Sequence, residues 1–188
     1  MATLDVLVSG YVRQEKGVEH VAGTVSLVRT GDLVIVADPG IMASQSMLLD
    51  PLSSHGLTVD DVTHVFVSHH HIDHTRNIGL FPSAIVVDHG SCYDGDVWDA
   101  HSGDGYRLGV DVEVLVTPGH SFECASLAVR TGALGTVVLT HAWWFSDMTP
   151  VEDPLAVDQE QLASSRRRIL SIADWVVPGH GAPFAVPR

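Results

Sequence analysis

Short apolar runs bounded by turn residues dominate the first two thirds of the chain. Val and Leu are frequent at residues 4–12, 23–30 and 33–37, and Gly31-Asp32 is typical of a hairpin turn. Further apolar runs predict strands at 64–68, 84–87, 112–116, 126–130, 136–140 and 175–177. A polar turn at 13–19 and an irregular loop at 90–105, rich in Gly, Asp and Ser, are also predicted.

Apolar residues at helical spacing occur at two places. Met47, Leu48 and Leu52 predict a helix over 44–54, and a longer amphipathic pattern predicts one over 158–173. Runs of strands with interposed helices indicate a layered α+β fold. With 188 residues, the chain is expected to form a single domain, 1–188, able to bury a core without disulfides.

Charge and composition exclude several classes of partner. Ten Lys and Arg against 23 Asp and Glu give a net charge of −13, which repels a polyanion, so no nucleic acid is expected. The sequence has neither a membrane-length apolar run nor a secretory pattern at its start. Cys92 and Cys124 are the only cysteines, which favours a reduced, cytoplasmic protein.

The chain contains 12 histidines, and four metal-binding side chains cluster directly after one apolar strand. His69 and His71 are two residues apart, so an extended backbone directs both to one side, with His70 on the other. Asp73 and His74 follow as the chain turns into a helix. Neutral imidazoles and a carboxylate suit zinc, iron or manganese.

The motif His69-x-His71-x-Asp73-His74 resembles the signature of the metallo-β-lactamase fold superfamily. Residues 37–40, 117–121 and 178–181 resemble three further motifs of that family, in the same order. A closer resemblance is to the subgroup called metallo-β-lactamase domain-containing protein 1, carried by residues 77–82, 133–138 and 166–184. The resemblance implies a four-layer αβ/βα sandwich with two metal positions at one edge.

The resemblance also implies the ligands. They are His69, His71 and His120 at the first position, and Asp73, His74 and His180 at the second. Asp73 would also be catalytic, by orienting the attacking hydroxide, and Asp38 would hold a ligand loop or imidazole in place. Three histidines plus a water form an open zinc site, in which the pKa of the water falls to about 7.

One family feature is missing. The family usually places a bridging Asp after the strand at 136–140, but a gapless comparison puts Ala142 there and His141 at a preceding Gly. Three hypotheses follow: His141 replaces the bridge as a ligand, the centre holds a single metal ion, or Asp147 swings back.

The metal content expected is one or two zinc ions, with iron or manganese as alternatives. Trp143 and Trp144 follow directly after His141 and are candidates for the apolar wall of a substrate pocket.

These residues predict a metal-dependent hydrolase in which a metal-bound hydroxide attacks a small ester, thioester, lactone or amide. Three alternatives stay open: a mononuclear iron enzyme using oxygen on the same ligands, a phosphodiester hydrolase, and a non-catalytic metal-binding domain. The expected partners are a small-molecule substrate and a second copy of the chain.

Overall fold

Two mixed β-sheets pack face to face in the computed structural model, which describes residues 1–187. In chain order the strands are Thr3–Val8 (β1), Tyr11–Glu15 (β2), Val18–Ala22 (β3), Val25–Thr30 (β4), Leu33–Ala37 (β5), His64–Phe66 (β6), Ile85–Val87 (β7), Ser91–Asp94 (β8), Val97–Ala100 (β9), Val112–Val116 (β10), Ala125–Thr131 (β11), Gly135–Leu139 (β12), Trp175–Val177 (β13) and Phe184–Ala185 (β14). The α-helices are Ser46–Ser54 (α1), Ile72–Thr75 (α2) and Gln159–Ile172 (α3), and short 3-10 helices cover Val59–Asp61 and Ile78–Leu80.

The first sheet has the spatial order β1-β4-β5-β6-β7-β8-β9, and the second has the order β10-β11-β12-β13-β14. In the first sheet β5, β6 and β7 run parallel to one another, and in the second sheet β12 and β13 are parallel, whereas the other neighbouring strands of both sheets are antiparallel. Strands β2 and β3 form a separate two-stranded hairpin. Of the described helices, none is both long and apolar enough to pass through a bilayer.

The central strands are covered on both faces, because side chains alternate along each strand. In β5, Ile35 contacts the core between the sheets, whereas Val36 packs in the cluster beneath α1. In β12, Val137 faces the core between the sheets and Val138 packs beneath α3. The layers are therefore helix, sheet, sheet and helix, which confirms the predicted α+β sandwich.

The two predicted helices begin and end within two residues of α1 and α3. Two segment predictions need correction. The turn predicted at 13–19 covers only Lys16 and Gly17, with φ of 53° and 78°, and the residues on either side pair as strands of the β2–β3 hairpin. Residues 90–105 are not an irregular loop, since they contain the β8–β9 hairpin, where the Tyr93 and Trp98 ring centroids are 5.1 Å apart.

Candidate metal centre

The candidate ligands meet because several strands end at the same edge of the sandwich. Asp38 follows β5, residues 69–74 follow β6, His120 follows β10, His141 follows β12, and His180 follows β13. Neighbouring parallel strands deliver their carboxyl ends to the same side of a sheet, and the two packed sheets bring both ends together. Loops at strand ends on a rigid sheet are common places for binding sites.

The first predicted ligand set, His69, His71 and His120, lies close together. The Nδ1 atom of His71 is 3.0 Å from Nε2 of His69 and 3.1 Å from Nε2 of His120. His120 donates from Nδ1 to Asp153 Oδ2 at 2.7 Å, which leaves a lone pair on its Nε2 atom. Zn–N bonds of 2.0–2.1 Å in a tetrahedral site place two nitrogens about 3.3 Å apart, so this spacing fits a shared ion.

The second predicted set, Asp73, His74 and His180, lies beside the first. Asp73 Oδ2 is 3.4 Å from Nε2 of His74 and 3.6 Å from Nε2 of His180. His180 donates from Nδ1 to the carbonyl oxygen of Ala22 at 2.9 Å, so its Nε2 atom presents a lone pair. His74 Nε2 is buried and has no hydrogen-bond partner among residues 1–187. A metal ion would satisfy this orphaned nitrogen.

Asp38 contacts both the loop after β6 and the imidazole of His74. Its Oδ1 atom accepts a hydrogen bond from the backbone N–H of Ser68 at 2.7 Å, and its Oδ2 atom lies 3.0 Å from Nδ1 of His74. An outer carboxylate of this kind fixes the ring orientation of a metal-ligating histidine.

His141 lies between the two ligand sets. Its ring centroid is 4.1 Å from that of His120, 4.4 Å from that of His69 and 5.0 Å from that of His180. Its Nε2 atom is 3.0 Å from His180 Nε2, and its buried Nδ1 has no hydrogen-bond partner in the described part of the chain. His141 also completes a possible ligand group with His69 and His74.

The space beside His141 depends on a glycine. A Cβ atom added at Gly179 would be 2.4 Å from Cδ2 of His141, which is closer than unbonded atoms approach. The Pro178-Gly179-His180-Gly181 motif therefore supplies both a candidate ligand and room for a neighbouring imidazole.

Two further positions bear on the missing bridge, Ala142 and Asp147. Ala142 is buried beneath α3, so the position matched to the family's Asp faces the core. Asp147 is exposed, and its Oδ1 atom accepts a hydrogen bond from the backbone N–H of Thr149 at 3.2 Å. The hypothesis that Asp147 swings back into the centre is therefore wrong for this structure.

Burial and mutual repulsion keep most of these imidazoles neutral. Burial and the neighbouring imidazoles lower the pKa of His69 and His141 far below the ordinary value, and lower the pKa of His180 to about 4. Burial also acts to lower the pKa of His74, but Asp38 and Asp73 outweigh it and raise that pKa to about 9. A metal ion would displace a proton from His74, while the neutral imidazoles present lone pairs directly.

Sequence reasoning missed Asp153, whose side chain is fully buried. Besides His120, its carboxylate accepts hydrogen bonds from Trp144 Nε1 at 3.0 Å and from the backbone N–H of Leu155 at 2.9 Å. Asp153 thus links a candidate ligand to a side chain of the cavity wall. An isolated Asp 33 residues after His120 carries no sequence pattern that predicts this contact.

A cavity of about 250 Å³ opens over the imidazoles. Its apolar walls are Val12, Val21, Ile72, Trp144 and Leu155. Glu19 also lines the cavity, and the polar floor includes His71, Asp73, His120, His141 and His180. Val12, Glu19 and Val21 belong to the β2–β3 hairpin, of which only Glu19 lies in the turn predicted at 13–19.

The two tryptophans have different environments. Trp144 lines the cavity over the imidazoles. The prediction for Trp143 was wrong: its side chain is 2% exposed and packs in the core beneath α3, with its ring centroid 6.1 Å from that of Phe184. Residues 141–145 form no regular strand, and the backbone there directs Trp143 into the core together with Ala142 and directs Trp144 to the cavity.

Comparison with known sequences identifies the class. The family model described as the metallo-beta-lactamase superfamily matches residues 19–147, and the chain belongs to this superfamily. Within it, the chain is similar to metallo-beta-lactamase domain-containing protein 1. The Xenopus laevis protein of that name is 35% identical over 196 residues, covering 98% of this chain and 82% of the relative. The human protein is 39% identical over 165 residues, covering 82% of this chain and 60% of the relative.

Solved structures share the fold. A metallo-beta-lactamase-like protein from Thermotoga maritima aligns with a TM-score of 0.74 at 23% identity, covering 98% of this chain and 99% of its own. A second structure is an N-acyl homoserine lactone hydrolase, solved with N-hexanoyl-L-homoserine at its catalytic metal centre. It aligns with a TM-score of 0.69 at 19% identity, and the alignment covers 95% of this chain and 92% of the hydrolase chain. In sequence, an N-acyl homoserine lactonase of Bacillus thuringiensis is 26% identical over 148 residues, covering 70% of this chain and 59% of that protein.

Proposed function

We propose that the protein is a metal-dependent hydrolase acting on a small ester, thioester, lactone or amide. The observation that carries the proposal is the convergence of imidazole and carboxylate side chains at the floor of an apolar cavity. Such a cavity accommodates an acyl group, while the polar floor holds the reacting carbonyl. The lactonases among the similar proteins act on a carbonyl substrate of this kind.

The residues that would hold the metal ions are the two predicted ligand sets. Zinc is the ion we propose, because five of these six ligands are imidazoles and the sixth is a carboxylate. When bound, zinc lowers the pKa of a coordinated water toward 7 and polarises a carbonyl oxygen. Hydrogen bonds to Asp38, Asp153 and the Ala22 carbonyl would keep protons on Nδ1 and direct Nε2 to the centre.

Asp73 is the residue we propose for positioning the attacking water. Burial acts to raise the pKa of its carboxyl group, but the larger combined effect of His74 and His180 lowers that pKa to about 2. The carboxylate is therefore ionised at neutral pH and can only accept hydrogen bonds. A carboxylate beside the ligand nitrogens can accept a hydrogen bond from the water and turn its lone pair toward the substrate. Ile72, Trp144 and Leu155 would exclude bulk water from the acyl group.

His141 is the residue we propose as replacing the family's bridging Asp. Its position between the two sets and its unpartnered Nδ1 support a ligand role. Unlike a carboxylate, a neutral imidazole binds only one ion, so the ions would lose an anion that screens their mutual repulsion. We therefore expect the second ion to bind more weakly than the first.

Elemental analysis of gently purified protein tests the metal assignment. The expected result is about two zinc ions per chain. One ion per chain, above all iron, would contradict a two-zinc hydrolase, and oxygen consumption would then be the activity to measure.

A pair of variants tests the ligands. The double change His69→Ala and His71→Ala should abolish binding at the first position. His70→Ala is the matched control, because His70 lies between them but is exposed and faces Asp88, with Nε2 3.1 Å from Oδ2. Full metal content in the double variant would overturn the ligand assignment.

Hydrolysis itself is tested with a panel of uncharged esters, thioesters, lactones and amides. Turnover should disappear with a chelator and return with zinc. A protein that holds two zinc ions but hydrolyses none of the four substrate classes would refute the proposed function.

A further inference from the structure

The segment between β12 and α3, residues 140–158, is here called the site loop. It carries His141, Trp144 and Asp153, so it supplies a candidate ligand, part of the cavity wall and the partner of His120. Its backbone also binds the other ligand loops. The carbonyl oxygen of Trp144 accepts a hydrogen bond from the N–H of His180 at 2.8 Å, and the N–H of Val157 donates to the carbonyl oxygen of His120 at 3.3 Å.

One side chain of α3 joins two distant parts of the site loop. Arg166 donates from Nε to the carbonyl oxygen of Ala142 at 2.7 Å and from Nη2 to that of Pro150 at 2.9 Å, while Nη1 donates to that of Val151. Its guanidinium carbon also lies 5.6 Å from the ring centroid of Trp143. A guanidinium has five N–H donors in a rigid plane, so it can hold three carbonyl groups in fixed relative positions.

The contacted carbonyl groups lie close in sequence to the three site residues of the loop. Ala142 directly follows His141, and Trp144 lies between Ala142 and the Pro150–Val151 pair. Asp153 comes two residues after Val151. Movement of the backbone at Ala142 or at Pro150–Val151 would therefore shift the Trp144 ring. The carboxylate of Asp153, which orients His120, would shift with it, because Trp144 and Asp153 are hydrogen bonded to each other.

We infer that Arg166 is a positioning residue for the metal centre, acting through the three carbonyl groups that it holds in the site loop. Arg166 is the first of three consecutive Arg residues in α3, and such a run on a helix is usually a solvated face. The inference rests on the proposed metal centre, although it does not depend on which substrate is hydrolysed.

The test compares Arg166→Ala, Arg166→Lys and Arg167→Ala. Arg167 is the matched control because it is adjacent, equally charged and exposed. The probe is Co²⁺ added to the metal-free full chain, and the readouts are its dissociation constant, its visible absorption spectrum and the melting temperature. We expect binding about tenfold weaker and an altered spectrum in Arg166→Ala, since loss of outer support for ligands typically costs 10–100-fold in affinity.

Arg166→Lys should keep the charge but lose the planar fork, so its affinity should fall between those of the wild type and Arg166→Ala. Methylguanidinium in solution should partly restore affinity and spectrum in Arg166→Ala, and should leave Arg167→Ala unchanged. If Arg166→Ala does not fold, Arg166→Lys and Arg167→Ala provide the same comparison.

A lower melting temperature with unchanged cobalt affinity and spectrum would overturn the inference, because Arg166 would then support only the fold. Equal losses in Arg167→Ala would also overturn it, since they would show a general effect of charge. Wild-type protein that binds Co²⁺ but hydrolyses no substrate would refute the proposed function alone. Wild-type protein that binds no Co²⁺ through nitrogen ligands would refute both.

Discussion

The buried carboxylate of Asp153 provides the sharpest test of how the centre is held. Three N–H donors point at its two oxygens: His120 and Trp144 at Oδ2, and the backbone of Leu155 at Oδ1. Asp153→Asn keeps the shape but leaves one acceptor oxygen. With that oxygen toward His120 and Trp144, the N–H of Leu155 faces an NH₂ group. With the amide reversed, two donors lose their acceptor.

The orientation that leaves only the N–H of Leu155 unpaired is therefore favoured. One unsatisfied buried donor lowers the free energy of unfolding by about 1–3 kcal/mol. For a chain of this size, 2 kcal/mol lowers the melting temperature by about 4–8 °C. His120 would keep its orientation but lose a charged partner that makes its imidazole a better ligand. Loss of such a partner typically weakens metal binding 10–100-fold, which equals about 1.4–2.7 kcal/mol.

The assay is a zinc titration in competition with a chromophoric chelator, together with thermal unfolding of the metal-free protein. Glu152→Gln is the control, because Glu152 is the adjacent carboxylate and is exposed. Zinc binding by Asp153→Asn as tight as that of the wild type would refute the reasoning, since it would show that the carboxylate does not support His120.

Three further predictions concern the same region. His141→Ala should lower metal content or activity, and unchanged values would show that His141 is only a neighbour of the ligands. Gly179→Ala should displace the His141 ring and reduce metal content, whereas Gly181→Ala, whose added Cβ has no neighbour closer than 3.4 Å, should not; equal metal content in both would contradict this. Burial raises the pKa of the Cys124 thiol to about 11, so at about pH 8 a thiol reagent should modify Cys92 alone until the protein unfolds. Rapid labelling of Cys124 in the folded protein would contradict that expectation.

The candidate site was most predictable where several metal-binding side chains lie in one short segment of the sequence. The run from His69 to His74 places several metal-binding groups directly after an apolar strand, and neither a core nor a solvated loop needs such a cluster. The buried strands were also predictable, because β5 is a continuous apolar run and β12 ends in one, each with β-branched residues.

What the sequence did not predict depends on long-range contacts or on exposed strands. Asp153 acquires its role only when the site loop folds against His120. The β8–β9 hairpin is largely exposed, so its polar residues hide the alternation that marks a half-buried strand. Trp143 and Trp144 are alike in sequence, and only the direction of the backbone at that point separates the core side chain from the cavity wall.

The distribution of the candidate ligands between the two sheets sets an order of events during synthesis. His69, His71, Asp73 and His74 emerge with the first sheet, whereas His120, His141 and His180 emerge with the second. About a hundred residues separate His74 from His180, which corresponds to roughly 5–20 s of translation. A ribosome-bound chain would thus present a half-formed, histidine-rich cluster before the full set exists. Binding by the complete set would therefore follow synthesis of the second sheet, and a metal ion near the nascent chain would first meet only the side chains of residues 69–74.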